Sequence, residues 1–303
     1  MREITINAND AGQRLDKFLK KYMPKLPNGM LYKGIRKKFV RINGRHAKSA
    51  DVFLCEGDVL RIYFSDEFYS DEIKNITKTK MPDVLYEDEN ILVLNKPAGL
   101  MVHDGEDRNQ ETLISQVLYY LYSKGEYDPE NEKSFAPALC NRLDRNTAGL
   151  VIGAKNAKAL RFINEKIKSR QIKKYYVCIV EGKLKDEKGE LRANLVRGDK
   201  KVSINNTGEG KEIVTKYRVL KSNEKYSMVE VELITGRTHQ IRAQFADIGH
   251  PLRGDTKYNA VKDTELKYQA LCSYRIKFDF CDENEDFKNL AGLEVKIAFP
   301  FKI

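Results

Sequence analysis

Apolar positions along this chain change period several times, and each change marks an element. In residues 14 to 22 (RLDKFLKKY) Leu15, Phe18 and Leu19 recur at helical spacing. After the break Leu26-Pro27-Asn28-Gly29 the spacing returns with Met30, Leu31 and Ile35, predicting a second short helix. Phe39-Val40-Arg41-Ile42 then reads as a strand, Asn43-Gly44 supplies the positive φ values of a tight turn, and Glu56-Gly57-Asp58 leads into a strand from Val59 to Phe64. The pattern is ααβ with a hairpin and defines a first unit, residues 1–65. No apolar period survives between Ser65 and Lys80, so residues 66–80 are expected to be a flexible linker.

From Met81 onward short β-rich runs dominate, at 84–86, 91–94, 150–154, 176–180, 214–219, 228–234, 274–278 and 295–299. Helical spacing is confined to 111–121, 157–168 and 238–248. The expected class is α+β: the small ααβ unit, then a domain over 81–303 built on a mixed, mainly antiparallel sheet with flanking helices.

Charge sharpens this division. The formal net charge is +10, and residues 1–65 hold 14 lysines and arginines against 6 acids, so the first unit carries a surplus of 8 and the remainder only 2. On the second predicted helix Lys33, Arg36 and Lys37 fall opposite the apolar face, a cationic stripe of the size that phosphates require. No apolar run approaches the roughly 18 residues of a membrane span, and the first residues lack the layout of a secretion signal, so the expected location is the cytoplasm. Five scattered cysteines without a C-x-x-C pair argue against a disulfide framework or zinc site and read as reduced, mostly core residues.

Four segments are candidates for chemistry. In Asn141-Arg142-Leu143-Asp144-Arg145-Asn146-Thr147-Ala148-Gly149 the aspartate lies between two arginines, whose positive potential favours a carboxylate suited to nucleophilic or electrostatic work. A loop aspartate held in an ion pair would give the same pattern. In Leu233-Ile234-Thr235-Gly236-Arg237-Thr238-His239-Gln240-Ile241-Arg242 a strand ends at a glycine and a helix is expected to begin at Thr238, with His239 and Arg242 on one face where they could meet a common carboxylate or anion. A packed, hydrogen-bonded His239 is equally compatible. With four histidines and no carboxylates at ligand spacing, no metal site is indicated. Lys174-Tyr175-Tyr176-Val177-Cys178-Ile179-Val180 is a strand with Tyr176, Cys178 and Val180 on one side. Asn95-Lys96-Pro97-Ala98-Gly99 leaves a strand through a turn.

Taken in order, these segments resemble the RluA-type family of RNA pseudouridine synthases over residues 81 to 300. The family's E-D-x-x-x-L-V-x-N-K-P-x-G-x-x-V-H matches Glu87 to His103, and its H-R-L-D-x-x-T-S-G, K-x-Y-x-A-x-V-x-G, T-G-R-x-H-Q-I-R and G-H-P-x-x-G-D-x-x-Y follow, the last as Gly249 to Tyr258. Asn141, Ala148, Gln244 and Cys272 depart from the usual residues. The first 64 residues similarly resemble the S4-type RNA-binding domain, with its R-L-D-x-F-L, basic second helix, V-x-x-N-G and G-D-x-V/L.

The resemblance implies an isomerase that detaches uracil at N1 and rejoins it through C5, with no cofactor. It implies Asp144 as the catalytic carboxylate, attacking C1′ or abstracting a sugar proton, Arg242 as its partner, and Tyr176 stacked on the uracil and helping to remove the C5 proton. Arg142 would fill the space left by the extruded nucleotide, while Arg237, His239, Gln240, Lys96 and the S4-type residues Lys33, Arg36 and Lys37 would contact RNA. The implied partner is RNA, large-subunit ribosomal RNA foremost and transfer RNA second, and the protein is expected to be a monomer. A binding-only protein is disfavoured by the intact Asp144, Tyr176 and Arg242. A two-carboxylate hydrolase is disfavoured because Asp144 lacks an acidic partner in its motif and Asp255 belongs to a separate turn.

Overall fold

The computed structural model describes residues 1–69, 76–103, 110–198, 202–205, 208–258, 260–261, 263–281 and 285–303. The first unit comprises β1 (Arg2–Thr5), α1 (Leu15–Tyr22), α2 (Asn28–Arg36), β2 (Val40–Ile42), β3 (Arg45–His46) and β4 (Val59–Ile62). Its antiparallel sheet runs β1-β4-β2-β3. Leu15, Phe18, Leu19, Leu31 and Ile35 from the helices pack on Ile4, Val40, Leu60 and Ile62, so both helices find the apolar face of one small sheet, while Met30, expected in the second stripe, is exposed and Gly34 is buried there instead. β1 has no counterpart in the sequence reading, since Ile4 is its one buried residue.

The expected linker is described at its two ends, residues 66–69 and 76–80. Part of it, residues 70–75, lies outside the described residues. Before that, Asp66–Phe68 forms a 3-10 turn and Tyr69, 2% exposed, is buried in the first unit's core with the Arg2 guanidinium 3.6 Å from its ring centre. One aromatic anchor is enough to extend the folded unit past residue 65, although no period announces it. The units also touch: Asp10 accepts hydrogen bonds from the Ser134 amide and hydroxyl, Asn9 accepts one from the Ala157 amide, and Arg161 donates to the Ala11 carbonyl.

The second unit comprises β5 (Val84–Glu87), β6 (Ile91–Lys96), α3 (Leu113–Ser123), β7 (Ala138–Leu139), β8 (Ala148–Ala154), α4 (Ala157–Lys168), β9 (Ile172–Glu181), β10 (Lys188–Arg197), β11 (Val202–Asn205), β12 (Lys211–Ser222), β13 (Tyr226–Leu233), α5 (Gln240–Asp247), β14 (Leu271–Phe278) and β15 (Glu294–Lys296). Among the described residues these strands form one mixed sheet in the order β11-β10-β12-β13-β9-β14-β8-β6-β5, with β15 on β14 and β7 on β8. Central strands are apolar on both faces. In β6, Leu92 and Leu94 join α3, α5, Tyr176, Cys178 and Val180 on one side, while Ile91 and Val93 join α4 and Phe278 on the other.

Among the described strands every pairing is antiparallel except that of β8 with β14, which consists of Cys272 opposite Ala148 and Ser273 opposite Gly149. Gly149 makes this seam possible. Its φ is +113°, and a β-carbon there would lie 2.1 Å from the Ser273 carbonyl oxygen. Gly149→Ala is expected to lose roughly 2–5 kcal/mol of stability from overpacking and backbone strain together. Urea unfolding checks this, and a loss below about 1 kcal/mol would contradict the backbone approach.

Candidate active site

A cleft of about 1060 Å³ opens beside this seam, walled by Met101–His103, the loop 140–147, Lys174 and Tyr176 of β9, and the segment Gly236–Arg242. Its volume is of the order that holds a drug-sized ligand. Asp144 lies on the loop entering β8, its side chain 24% exposed. The arginines beside it in sequence do not reach it: Arg142 is exposed, and Arg145 donates from Nε to the Gly99 carbonyl. The cation against the carboxylate is Arg242, whose Nη1 donates to Asp144 Oδ2 at 3.0 Å.

Arg242 is fixed from behind. Its Nε and Nη2 donate to the two oxygens of Asp255 at 2.6 and 2.8 Å, a bidentate pair whose carboxylate side chain is 1% exposed. Burial works against the charged guanidinium, yet Asp255 and Asp144 outweigh it and hold its pKa above the ordinary value. Asp255 was not among the candidate residues of the sequence, although the G-H-P-x-x-G-D-x-x-Y motif contains it. The same motif supplies Tyr258, whose ring centre is 5.1 Å from the Arg242 guanidinium carbon.

His239 stands with Nε2 3.5 Å from Asp144 Oδ2 and Nδ1 2.9 Å from the Tyr258 hydroxyl. Burial lowers its pKa, with Asp144 opposing. His239 and Arg242 thus meet a common carboxylate, which belongs to the protein itself. α5 begins at Gln240 rather than Thr238, because His239 adopts φ +55° and occupies the position before the first turn.

Two polar residues assigned to RNA turn inward. The Lys96 ammonium is wholly buried and donates to the carbonyls of Pro97, Leu100 and Arg145, so it pins the turn after β6 to the Asp144 loop. Burial pushes its pKa down to about 8, with Asp144 opposing. Gln240 is 2% exposed, accepting from the Thr235 hydroxyl and the Arg237 amide and donating to Val214 and Thr215. Four local partners satisfy it, which leaves no face for RNA. Arg237 and Arg142 are exposed at the cleft, whereas Lys33, Arg36 and Lys37 are exposed on α2 and do not line it.

Tyr176 is buried in the cleft wall, opposite Ser273 in the sheet. Burial drives its phenol above the usual tyrosine range, and the nearby Asp144 adds to the rise. Stacking suits such a ring better than proton abstraction. Three of the residues that depart from the family pattern are held within the protein. Asn141 accepts from the Ile152 amide, Gln244 accepts from Thr215 and donates to Leu191, and Cys272 is a buried thiol pushed up to about 12 by burial.

Residues 90–247 match the family model described as RNA pseudouridylate synthase. The chain is 33% identical over 252 residues to an uncharacterized RNA pseudouridine synthase of Aquifex aeolicus, with 81% of this chain and 77% of that one covered. It is 32% identical over 288 residues to ribosomal large subunit pseudouridine synthase D of Borreliella burgdorferi, covering 92% and 85% of the two chains. Against ribosomal large subunit pseudouridine synthase C of Vibrio parahaemolyticus the figures are 30% over 261 residues, 84% and 79%. The solved structure of human RNA pseudouridylate synthase domain containing 1 shares the fold, with a TM-score of 0.57 at 21% identity over 76% of this chain and 87% of that one.

The geometry makes Asp255 the more structural of the two carboxylates. Asp255→Ala would leave a guanidinium buried with half its partners and is expected to destabilise the protein by roughly 3–5 kcal/mol. Asp144→Ala, which removes a part-exposed partner, should lose roughly 1 kcal/mol or less. Equal losses on chemical denaturation would contradict this ranking.

Proposed function

This chain belongs to the RNA pseudouridylate synthase family, whose members are isomerases acting on RNA, and we propose that Asp144 is its catalytic carboxylate and large-subunit ribosomal RNA its substrate. The observation that carries the first part is the Arg242–Asp144 contact at the wall of an open cleft. Both Arg242 and His239 approach Oδ2, and among the described residues Oδ1 makes no hydrogen bond to protein. One oxygen is therefore anchored while the other is available to a ribose. The second part is supported by the ribosomal large subunit synthases among the relatives.

In the reaction the C1′–N1 bond breaks, the uracil turns in place, a C1′–C5 bond forms, C5 loses its proton and N1 ends protonated, so composition is unchanged. Asp144 starts the sequence through Oδ1, either by adding to C1′ or by taking a sugar proton. Arg242 acts as a positioning residue, since it touches the carboxylate and not the ribose. The ring of Tyr176 supports the flat uracil while it turns. A uridine within folded RNA must swing out to reach this depth, and Arg142, exposed at the cleft, would fill the gap it leaves.

The first unit, proposed as an S4-type domain, would hold flanking RNA through Lys33 and Arg36, which α2 presents away from the buried Leu31, Gly34 and Ile35, and through Lys37 directly after it.

Tritium release from C5-labelled uridine in unmodified ribosomal RNA tests the chemistry. Asp144→Asn should lower turnover by roughly 10³-fold or more while RNA affinity persists, and Arg242→Met should reduce the rate by roughly 10²-fold with a smaller effect on affinity. Release within about tenfold of wild type from Asp144→Asn would overturn the assignment of this carboxylate. In binding titrations across salt, changing Lys33, Arg36 and Lys37 together to Gln should reduce the log–log slope by roughly 2 if each neutralises a phosphate. An unchanged slope would remove α2 from the RNA contact.

A further inference from the structure

From a cation that the mechanism above leaves unused, we infer that Lys174 is a phosphate-binding residue of the cleft, holding a backbone phosphate beside the nucleotide that enters it. This rests on the reading that an RNA nucleotide occupies the cleft.

Lys174 and Tyr176 are two residues apart on β9 and both line the cleft, so they share a sheet face about 7 Å apart along the strand. A base lying on the Tyr176 ring would carry its sugar and phosphate about that far away. The neighbouring cations of this sheet are paired: Lys173 with Asp279, and Arg275 with Glu230 and Glu294. Among the described residues the Lys174 ammonium has neither an ion pair nor a hydrogen bond, and burial alone acts on its pKa, lowering it. A half-buried ammonium without a partner is unfavourable in the free protein, and an anion delivered into the cleft relieves it.

The approach is open. Gly236 places no side chain before the ammonium, since a β-carbon built there would have Lys174 Nζ as its nearest neighbour at 3.8 Å. Exposed Arg237 follows directly and Arg142 also lines the cleft, so among the described residues one carboxylate, Asp144, faces cations at its mouth. At neutral pH the anionic groups of RNA are its phosphates, and the uracil itself is uncharged. The favoured occupant of this corner is thus the phosphate attached to the target nucleotide.

The test combines stability with kinetics on Lys174→Met and Lys174→Arg. Without RNA, the Met variant should melt at or above the wild-type temperature, because an unpaired charge has been replaced by an apolar chain of similar length. In tritium release its KM should rise roughly 10- to 100-fold with kcat changed less than about 3-fold, and Arg should restore most of the loss. A neutral methylphosphonate at the linkage held by Lys174 should weaken wild type and leave the Met variant nearly unaffected. A lower melting temperature for Lys174→Met, a fall confined to kcat, or additive losses with the methylphosphonate would each overturn the proposal. Absence of tritium release by wild type would instead sink the activity reading. In that case RNA affinity of the full chain, with and without Lys174→Met, still decides whether the lysine holds a phosphate.

Discussion

The site depends on how Arg242 divides its hydrogen bonds between two carboxylates. Asp255 takes two of them and is itself removed from water, while Asp144 takes one and stays a quarter exposed. The buried pair compensates the guanidinium for lost hydration, so its position does not depend on Asp144. Asp144 in turn gains a fixed direction without surrendering both oxygens. A symmetric arrangement would bury the carboxylate proposed to react; a site lacking Asp255 would leave Arg242 free to move with whatever anion entered the cleft.

The sheet explains how groups so far apart in sequence come together. Strands β11 to β14 on one side and β8, β6 and β5 on the other are joined through two parallel pairs, and the loop carrying Asp144 enters the sheet at that join. Next to it the register of β14 against β9 shifts between Ser273 and Arg275, beside the partner of Tyr176. Lys96 secures the loop from behind, with one ammonium tying the turn after β6 to the backbone that follows Asp144. Replacing that ammonium by surface water would require opening the core between β6 and β8, so the loop is held by the fold itself.

What could be read from the sequence follows from where burial is strong. Strands buried on both faces, such as β6, β9 and β14, declare themselves as apolar runs, and α4 spans 157–168 as its period predicts. β10 and β11 escape notice because they lie at the sheet margin, where Leu195 and Val202 are the residues buried and backbone pairing to β12 supplies the order. At the site the motifs name the right segments, but not the direction of each polar side chain. Arg142 and Arg145 flank Asp144 in sequence, yet the cation that touches it is 98 residues away. Lys96 and Gln240 look like ligands for RNA until the tertiary fold supplies inward partners. A polar residue goes wherever its hydrogen bonds can be satisfied, and periodicity carries no information about that.

The contacts between the two units bear on how RNA would be read. They are directional and polar: a fully buried Asp10 receives Ser134, and Asn9 caps the free amide that opens α4. A binding unit carried only on a tether would raise the local concentration of RNA without fixing its register. Hydrogen bonds of this kind set α2 and the cleft at one separation. On the proposed reading, RNA gripped by both would present its target uridine at a matching distance from the phosphates held by α2. Discrimination among uridines would then arise from the shape of the surrounding RNA as well as from contacts to the base, with the cleft's cations meeting backbone and its aromatic wall accepting any pyrimidine ring.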